Sequence, residues 1–440
     1  MLSALAVAAL ALRVLYIVRT QGDVVSGDGT YYHALAAFLA DGRGFIAPEL
    51  YEATGRMMPN ASHPPVWPVV LAGPAALGLR TFFEQQLFTA LIGSAVVVAV
   101  GVAGRLVAGA GAGLIAAALA AIYPNLWLYE REVLSEPLAM LLAACTIILA
   151  YRFIERPGIG RAGALGALCA VLAQTRSEQM LLFPFLVMPL VLRTHTVPLP
   201  RRLLWLGASA AIALVLLAPW SAYNANRFER PVFLSTQFGA GFLTSNCDET
   251  YHGERLGSVH PQCSAQNRRD VDLSGDPTED DAQMRDEGLR YVRAHLSRVP
   301  VVVLAREGRV WNVYRPSQQM EIDSSRDTNK SVIRLGYVAY WALLPFAVAG
   351  VLLLHRRRVA LLPLLVFPAI TAIAVAVQFG YTRYRAPAEV SILILSAVTL
   401  DAIVRRVRRP PPPSRVVTLP AEEPSEILSV HGFDPQDHLR

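Results

Sequence analysis

The sequence predicts an all-α polytopic membrane protein of about ten transmembrane helices, with interfacial helices in a first outer loop and one larger outer segment. Three observations predict it. The chain of 440 residues is 53% hydrophobic and only 17% charged, with a mean hydropathy of +0.38, whereas soluble domains carry about a quarter charged residues. Uncharged runs such as 110–128 and 203–220 recur, each near the ~20 residues that span a hydrocarbon core. Arginines cluster between those runs, as topology requires.

The apolar runs lie near 2–18, 66–80, 85–104, 111–128, 133–151, 162–175, 179–192, 203–220, 332–354, 359–378 and 389–404. Basic groups flank them at Arg105, Arg152/Arg156/Arg161, Arg193/Arg201/Arg202, Arg356–Arg358 and 405–409. Placing all five groups in the cytoplasm satisfies the positive-inside rule only if 66–80 does not cross. Pro64, Pro65, Pro68 and Pro74 interrupt that run, so it is expected as an interfacial or re-entrant helix. The run 1–18 lacks a basic n-region and a small-residue cleavage site and is expected as the first span, with Arg13 snorkelling near a helix end.

The expected organisation is an N-terminal transmembrane catalytic module over 1–220 containing a first outer loop over 21–83, then an extracytoplasmic segment over 221–330. C-terminal transmembrane helices follow over 331–404, with a cytoplasmic, disordered tail over 405–440. The segment 221–330 is too short and too charged in its middle for a large independent catalytic domain. An amphipathic helix is expected over 280–296, a stretch along the membrane over 299–311, and acceptor binding or a lid as the role.

The net charge of +6 carries no nucleic-acid reading, which would need a basic face on a soluble domain. Lys330 is the only lysine among 40 basic residues, a bias of a GC-rich genome rather than of a mechanism. Cys145 and Cys169 fall in apolar runs and read as packing residues. Cys247 and Cys263 share a polar segment, and a disulfide between them is left open.

Chemistry concentrates at one expected membrane face. Ser26-Gly27-Asp28-Gly29-Thr30-Tyr31-Tyr32-His33 places an acid between two glycines, which allow close backbone approach; the plain alternative is a turn aspartate capping a helix from Thr30. In Glu130-Arg131-Glu132-Val133-Leu134-Ser135-Glu136-Pro137, a helix would put Glu132 and Glu136 on one face, with Ser135 as cap and Pro137 in the first turn. Solvated interface acids are the alternative, although unpaired carboxylates ending an apolar helix are costly. Arg176 and the run Tyr381-Thr382-Arg383-Tyr384-Arg385 fall on the same side, against the positive-inside trend. They suit a phosphate or buried pairs with Glu178 or Glu389. His63 sits among prolines, where a structural role is the commoner one.

Carboxylates and arginines on one face, without charges in mid-membrane, suit interfacial transfer better than an ion pathway. No internal repeat supports a transporter. A lipid flippase, a non-catalytic scaffold, or another interfacial polyprenyl-lipid enzyme such as a ligase or phosphatase remain the alternatives.

The ordered motifs resemble the glycosyltransferase C superfamily, near family 39, which includes protein O-mannosyltransferases and the lipid A aminoarabinose transferase. They are Gly27-Asp28-Gly29-Thr30-Tyr31-Tyr32, the prolines after His63, Tyr123-Pro124 with Glu132 and Ser135-Glu136, and Thr175-Arg176-Ser177-Glu178. Then come Pro219-Trp220-Ser221 with Asn224 and Arg227, Leu234-Ser235-Thr236-Gln237-Phe238-Gly239, and Arg383-Tyr384-Arg385-Ala386-Pro387. The resemblance covers about residues 8–400. It implies a cell-membrane enzyme of the cell envelope that moves a sugar, with inversion, from a polyprenyl-phosphate donor to a glycan, lipid or protein hydroxyl outside. Asp28 would be the base, supported by Glu136 or Glu132. Arg176, Arg383 and Arg385 would meet the donor phosphate, and Tyr31, Tyr32 and His63 the substrate. Asp28 is followed by Gly29 rather than by a second acid, a departure from the mannosyltransferase branch that counts against a protein acceptor. No His/Cys/Asp set has firm metal-ligand spacing; a divalent ion held by Asp28 and His63 is left open.

Overall fold

A computed structural model describes residues 1–21, 27–263, 275–324 and 330–408. Among these the chain is helical apart from turns, loops and one β-bridge, Ile46 to Pro59. Six helices are long and apolar enough to cross a membrane, or seven if the bent pair Ala110–Ile122 and Pro124–Arg131 forms one span. The ten expected are reached only if the shorter Ile159–Ala173, Ser177–Leu192 and Leu362–Val377 also cross.

Burial orders the spans. The window within the last helix is 78% buried, against 17% for Leu2–Arg19 and for Leu199–Asn224. The last helix, Ala386–Arg408, is therefore central, and those two leave most of their apolar surface exposed. In lipid, helices associate through close packing rather than the hydrophobic effect, which favours small residues at contacts. A Cβ on Gly113 would fall 2.6 Å from the Gly101 carbonyl oxygen, and one on Gly166 would fall 2.2 Å from that of Ser209. Only glycine permits those two approaches.

Local chemistry sets the breaks. Thr81 and Glu84 form a reciprocal capping box that starts Phe82–Ala108. Val66–Ala76 has 11 residues, about 16 Å of helix, too short to cross. It packs beside Asp28–Ala40 in the first loop, with Trp67 fully buried and its indole donating to the Val133 carbonyl at 3.0 Å. The run expected at 179–192 contains Pro184 and Pro189 and is broken into a 3-10 turn, a π turn and a short α-helix.

Three local expectations are corrected. Arg13 does not snorkel: it is buried in the bundle, 2.9 Å from the equally buried Glu130, and also donates to the Ala9 and Ala121 carbonyls. Glu132 and Glu136 do not share a helix. Pro124–Arg131 ends at Glu132, Val133 takes φ 55°, and a new helix starts at Glu136. Ser135 precedes that helix without a side-chain cap bond, while Pro137 takes the expected first-turn place.

Within the segment 221–330, Cys247 and Cys263 are joined in a disulfide. Asp276 caps Pro277–Ala294 through the Thr278 amide at 2.8 Å, so the amphipathic helix starts three residues before the expected 280. Val299–Val310 packs on Leu362–Val377, where Arg306 donates to the Ala376 carbonyl. The expected tail is helical as far as Arg408; the rest of it and Ser26 of the first-loop motif lie outside the described residues.

Candidate functional site

Four distant stretches meet at one charged network. Gly27 takes φ 77°, which favours glycine, and turns the chain so that the helix begins at Asp28 itself rather than near Thr30. The Asp28 side chain accepts from Arg383 Nη1 at 2.7 Å and keeps 29% of its surface exposed. Arg383 Nε donates to Glu136 Oε1 at 2.6 Å, and the same oxygen accepts from Arg176 Nη1 at 2.7 Å. Arg176 Nε then meets Glu178 Oε1 at 2.6 Å, and its guanidinium lies 5.5 Å from the Tyr384 ring centre. Acids and bases thus alternate from Asp28 to Glu178.

Burial differs sharply along this chain. Glu136 has no exposed side-chain surface, and its Oε2 has no hydrogen-bond partner among the described residues. A buried carboxylate is tolerable only when paired, and the two guanidiniums supply that pairing. Burial pulls the Arg176 guanidinium down, but Glu178 and Glu136 more than offset this, holding it above its ordinary range. Of these groups, Asp28 is the more solvent-accessible carboxylate and Glu136 the buried one.

Tyr31, Tyr32 and His63 form a wall beside Asp28. The Tyr32 hydroxyl and His63 Nδ1 are 3.2 Å apart, and the imidazole packs 4.9 Å and 5.0 Å from the two tyrosine rings. Burial pushes both hydroxyls well above the usual tyrosine range, so they stay protonated. Burial, with Arg383 and Arg176 nearby, lowers His63 against the opposing pull of Asp28; the ring is neutral at pH 7.

Glu132 shares the lining of a small cavity with Arg383, Asn125, Tyr129, Asp323 and Tyr381. Arg385 is 2% exposed. It turns away from Asp28 to pair with Glu389 at 2.7 Å, donates to the Val310 carbonyl and sits 3.7 Å over the Tyr340 ring. Tyr123 also donates to Glu389, at 2.7 Å. The structure therefore gathers Asp28, Glu136, Arg176 and Arg383, and leaves Arg385 in a separate buried pair. Asp323 was not singled out from sequence, because it lies in a polar stretch with no motif around it.

The described residues at this site do not form a divalent-ion site. Asp28 Oδ2 is held by Arg383 and His63 Nδ1 by Tyr32. Among the described residues no group of three or more His, Cys, Asp or Glu could hold a metal. What the site does offer is an accessible carboxylate next to two preorganised guanidinium forks, the pairing needed to accept a proton beside a phosphate.

Comparison with known proteins adds fold to this geometry. The family model described as dolichyl-phosphate-mannose-protein mannosyltransferase matches residues 62–223. No curated protein matches the chain in sequence. The archaeal oligosaccharyltransferase AglB from Archaeoglobus fulgidus, in complex with an inhibitory peptide and a dolichol-phosphate, matches with a TM-score of 0.52 at 13% identity. That alignment covers 91% of this chain and 50% of the other, so the chain spans about half the length of that enzyme. ArnT from Cupriavidus metallidurans, bound to undecaprenyl phosphate, gives a TM-score of 0.42 at 15% identity, covering 92% and 77%. The all-helical fold of the archaeal oligosaccharyltransferase is shared by this chain.

Proposed function

We propose that this chain, with the membrane fold of the C-type glycosyltransferases, moves a sugar from a polyprenyl-phosphate donor to a cell-envelope acceptor hydroxyl at the extracytoplasmic face, with inversion. The observation that carries the reading is the convergence of Asp28, Glu136, Arg176 and Arg383 through bonds of 2.6–2.7 Å. The matched family model is described by a dolichyl-phosphate sugar donor, and AglB is complexed with a dolichol-phosphate. Both are consistent with a lipid phosphate at this site.

In this mechanism Asp28 takes the proton of the acceptor hydroxyl. The freed oxygen attacks the anomeric carbon from the face opposite the lipid phosphate. The bond from that carbon to the phosphate oxygen breaks, its electron pair stays on the leaving phosphate, and one displacement gives inversion. Arg383 and Arg176 stabilise the charge that develops there. Glu136, tied to both, keeps their forks aimed. Asp28 suits the base role because it is partly exposed, whereas Glu136 is sealed between two cations. The disulfide Cys247–Cys263 favours the oxidising side of the membrane for the outer segment.

The test is a panel of radiolabelled polyprenyl-phosphate sugars given to the purified protein, with wild type compared with Asp28→Asn. The expected outcome is label transfer to membrane extract by wild type and a loss of about 100-fold or more in the variant, the scale of a general base. Full activity in Asp28→Asn would discard the base assignment. No turnover with any donor, together with lipid movement in liposomes, would replace the enzyme by a lipid translocator.

A further inference from the structure

The turn that carries Arg383 is anchored from outside the membrane bundle. It runs Thr382–Arg385, and its first side chain, Thr382 Oγ1, donates to Asp323 Oδ2 at 2.7 Å. The same oxygen accepts the Tyr337 hydroxyl at 2.7 Å, and Asp323 Oδ1 accepts from Gln319 Nε2 at 3.1 Å. Asp323 belongs to the outer-segment helix Pro316–Ser324, whereas Tyr337 lies on Lys330–Arg356. Three elements are thus tied at one carboxylate, one residue before Arg383.

Behind Asp323 the ties continue into the outer segment. Fully buried Arg309 donates to Gln318 at 2.6 Å and to the Leu256 carbonyl at 2.7 Å. The amide of Gly380 donates to the Gly257 carbonyl at 2.9 Å. Asp323 and Arg383 both line a small cavity of about 40 Å³, large enough for water. Asp323 spends both carboxylate oxygens on the ties to Thr382, Tyr337 and Gln319.

We propose that Asp323 is a positioning residue for Arg383: by accepting Thr382, it fixes the turn from which Arg383 reaches Asp28 and Glu136. The proposal rests on the reading of Arg383 as a lipid-phosphate ligand. A hydroxyl bonded to a carboxylate is worth more than a neutral hydrogen bond, and a fork misplaced by about 1 Å loses much of its effect.

Polyprenyl phosphate itself is the probe, with Kd measured on the full chain in detergent for Thr382→Val, Thr382→Ser and Asp323→Ala. Thr382→Val is nearly isosteric, so it keeps the test usable should Asp323→Ala fold poorly. Both Thr382→Val and Asp323→Ala should weaken binding about tenfold, the size of one charge-assisted hydrogen bond, and Thr382→Ser should restore it. In an Arg383→Ala background, Asp323→Ala should weaken binding no further. Equal weakening with and without Arg383, or wild-type affinity in Thr382→Val, would overturn the proposal.

If wild type binds no polyprenyl phosphate, the phosphate reading of the site fails, and the positioning claim is still decided by melting temperatures. Losses from Thr382→Val and Glu136→Gln, the latter removing the buried partner of Arg383, that do not add would support the coupling through Arg383. Strictly additive losses would sink it.

Discussion

Arg383 Nη1 lies 2.7 Å from Asp28 Oδ2, and the same guanidinium reaches Glu136 through its Nε at 2.6 Å. One planar fork therefore spans an accessible carboxylate and a buried one. Lysine cannot reproduce this, because an ammonium is a point charge without fixed donor directions. Arg383→Lys is expected to stay folded, since the charge beside Glu136 remains, but to lose about 100-fold in transfer rate. Sugar transfer and the melting temperature, measured together, check it; wild-type turnover would show that the fork geometry is dispensable.

The two carboxylates should separate by assay. Glu136 is fully buried between two cations, so Glu136→Gln leaves Arg176 with Glu178 alone and Arg383 with Asp28 alone and should cost about 1–3 kcal/mol of stability. Asp28 is 29% exposed, so Asp28→Asn should leave the melting temperature within a few degrees of wild type and act on turnover. Unfolding scans of both variants decide this. A large loss of stability in Asp28→Asn would make it a structural residue instead.

Much of this site was legible in the sequence because its parts lie at helix ends, where charged residues interrupt apolar runs. Asp28, Glu136, Arg176 and Arg383 all carry that signal. Pairing was not legible. Nothing near Arg13 indicated Glu130, because the two meet only when separate helices pack. The shared face expected for Glu132 and Glu136 rested on helical spacing across a point where Val133, β-branched and at φ 55°, ends the helix. Arg383 and Arg385 are alternate residues of one short turn, and the turn sends one to Asp28 and the other to Glu389, a division that composition does not encode. The fold class followed from run length and arginine placement, whereas the exact number of crossings did not, because three apolar helices fall short of a full span.

Arg385 is a test of that division. With Glu389 it forms a buried pair at 2.7 Å, so Arg385→Met alone should destabilise strongly by leaving Glu389 unpaired. The double variant Arg385→Met with Glu389→Leu should recover much of that loss. If Arg385 serves only the fold, the double variant binds polyprenyl phosphate as wild type does. A stable double variant with binding abolished would instead assign Arg385 to the phosphate.

His63 gives a pH signature. Burial, aided by Arg383 and Arg176, lowers its pKa below the ordinary value, with Asp28 and Glu136 opposing. Below about pH 6.5 the unfolded chain takes up a proton on this ring that the folded chain does not. The stability this histidine contributes is therefore complete above that pH and is lost as pH falls toward the lowered folded value. His63→Gln keeps a partner for the Tyr32 hydroxyl, 3.2 Å away in wild type, but does not titrate. Across pH 7 to 5 the variant's melting temperature should fall less steeply than that of wild type, the difference isolating one group from the other carboxylates and histidines that also titrate. Parallel curves would mean that His63 protonates as freely in the fold as in the unfolded chain, and that the wall beside Asp28 is open enough to solvate a charge.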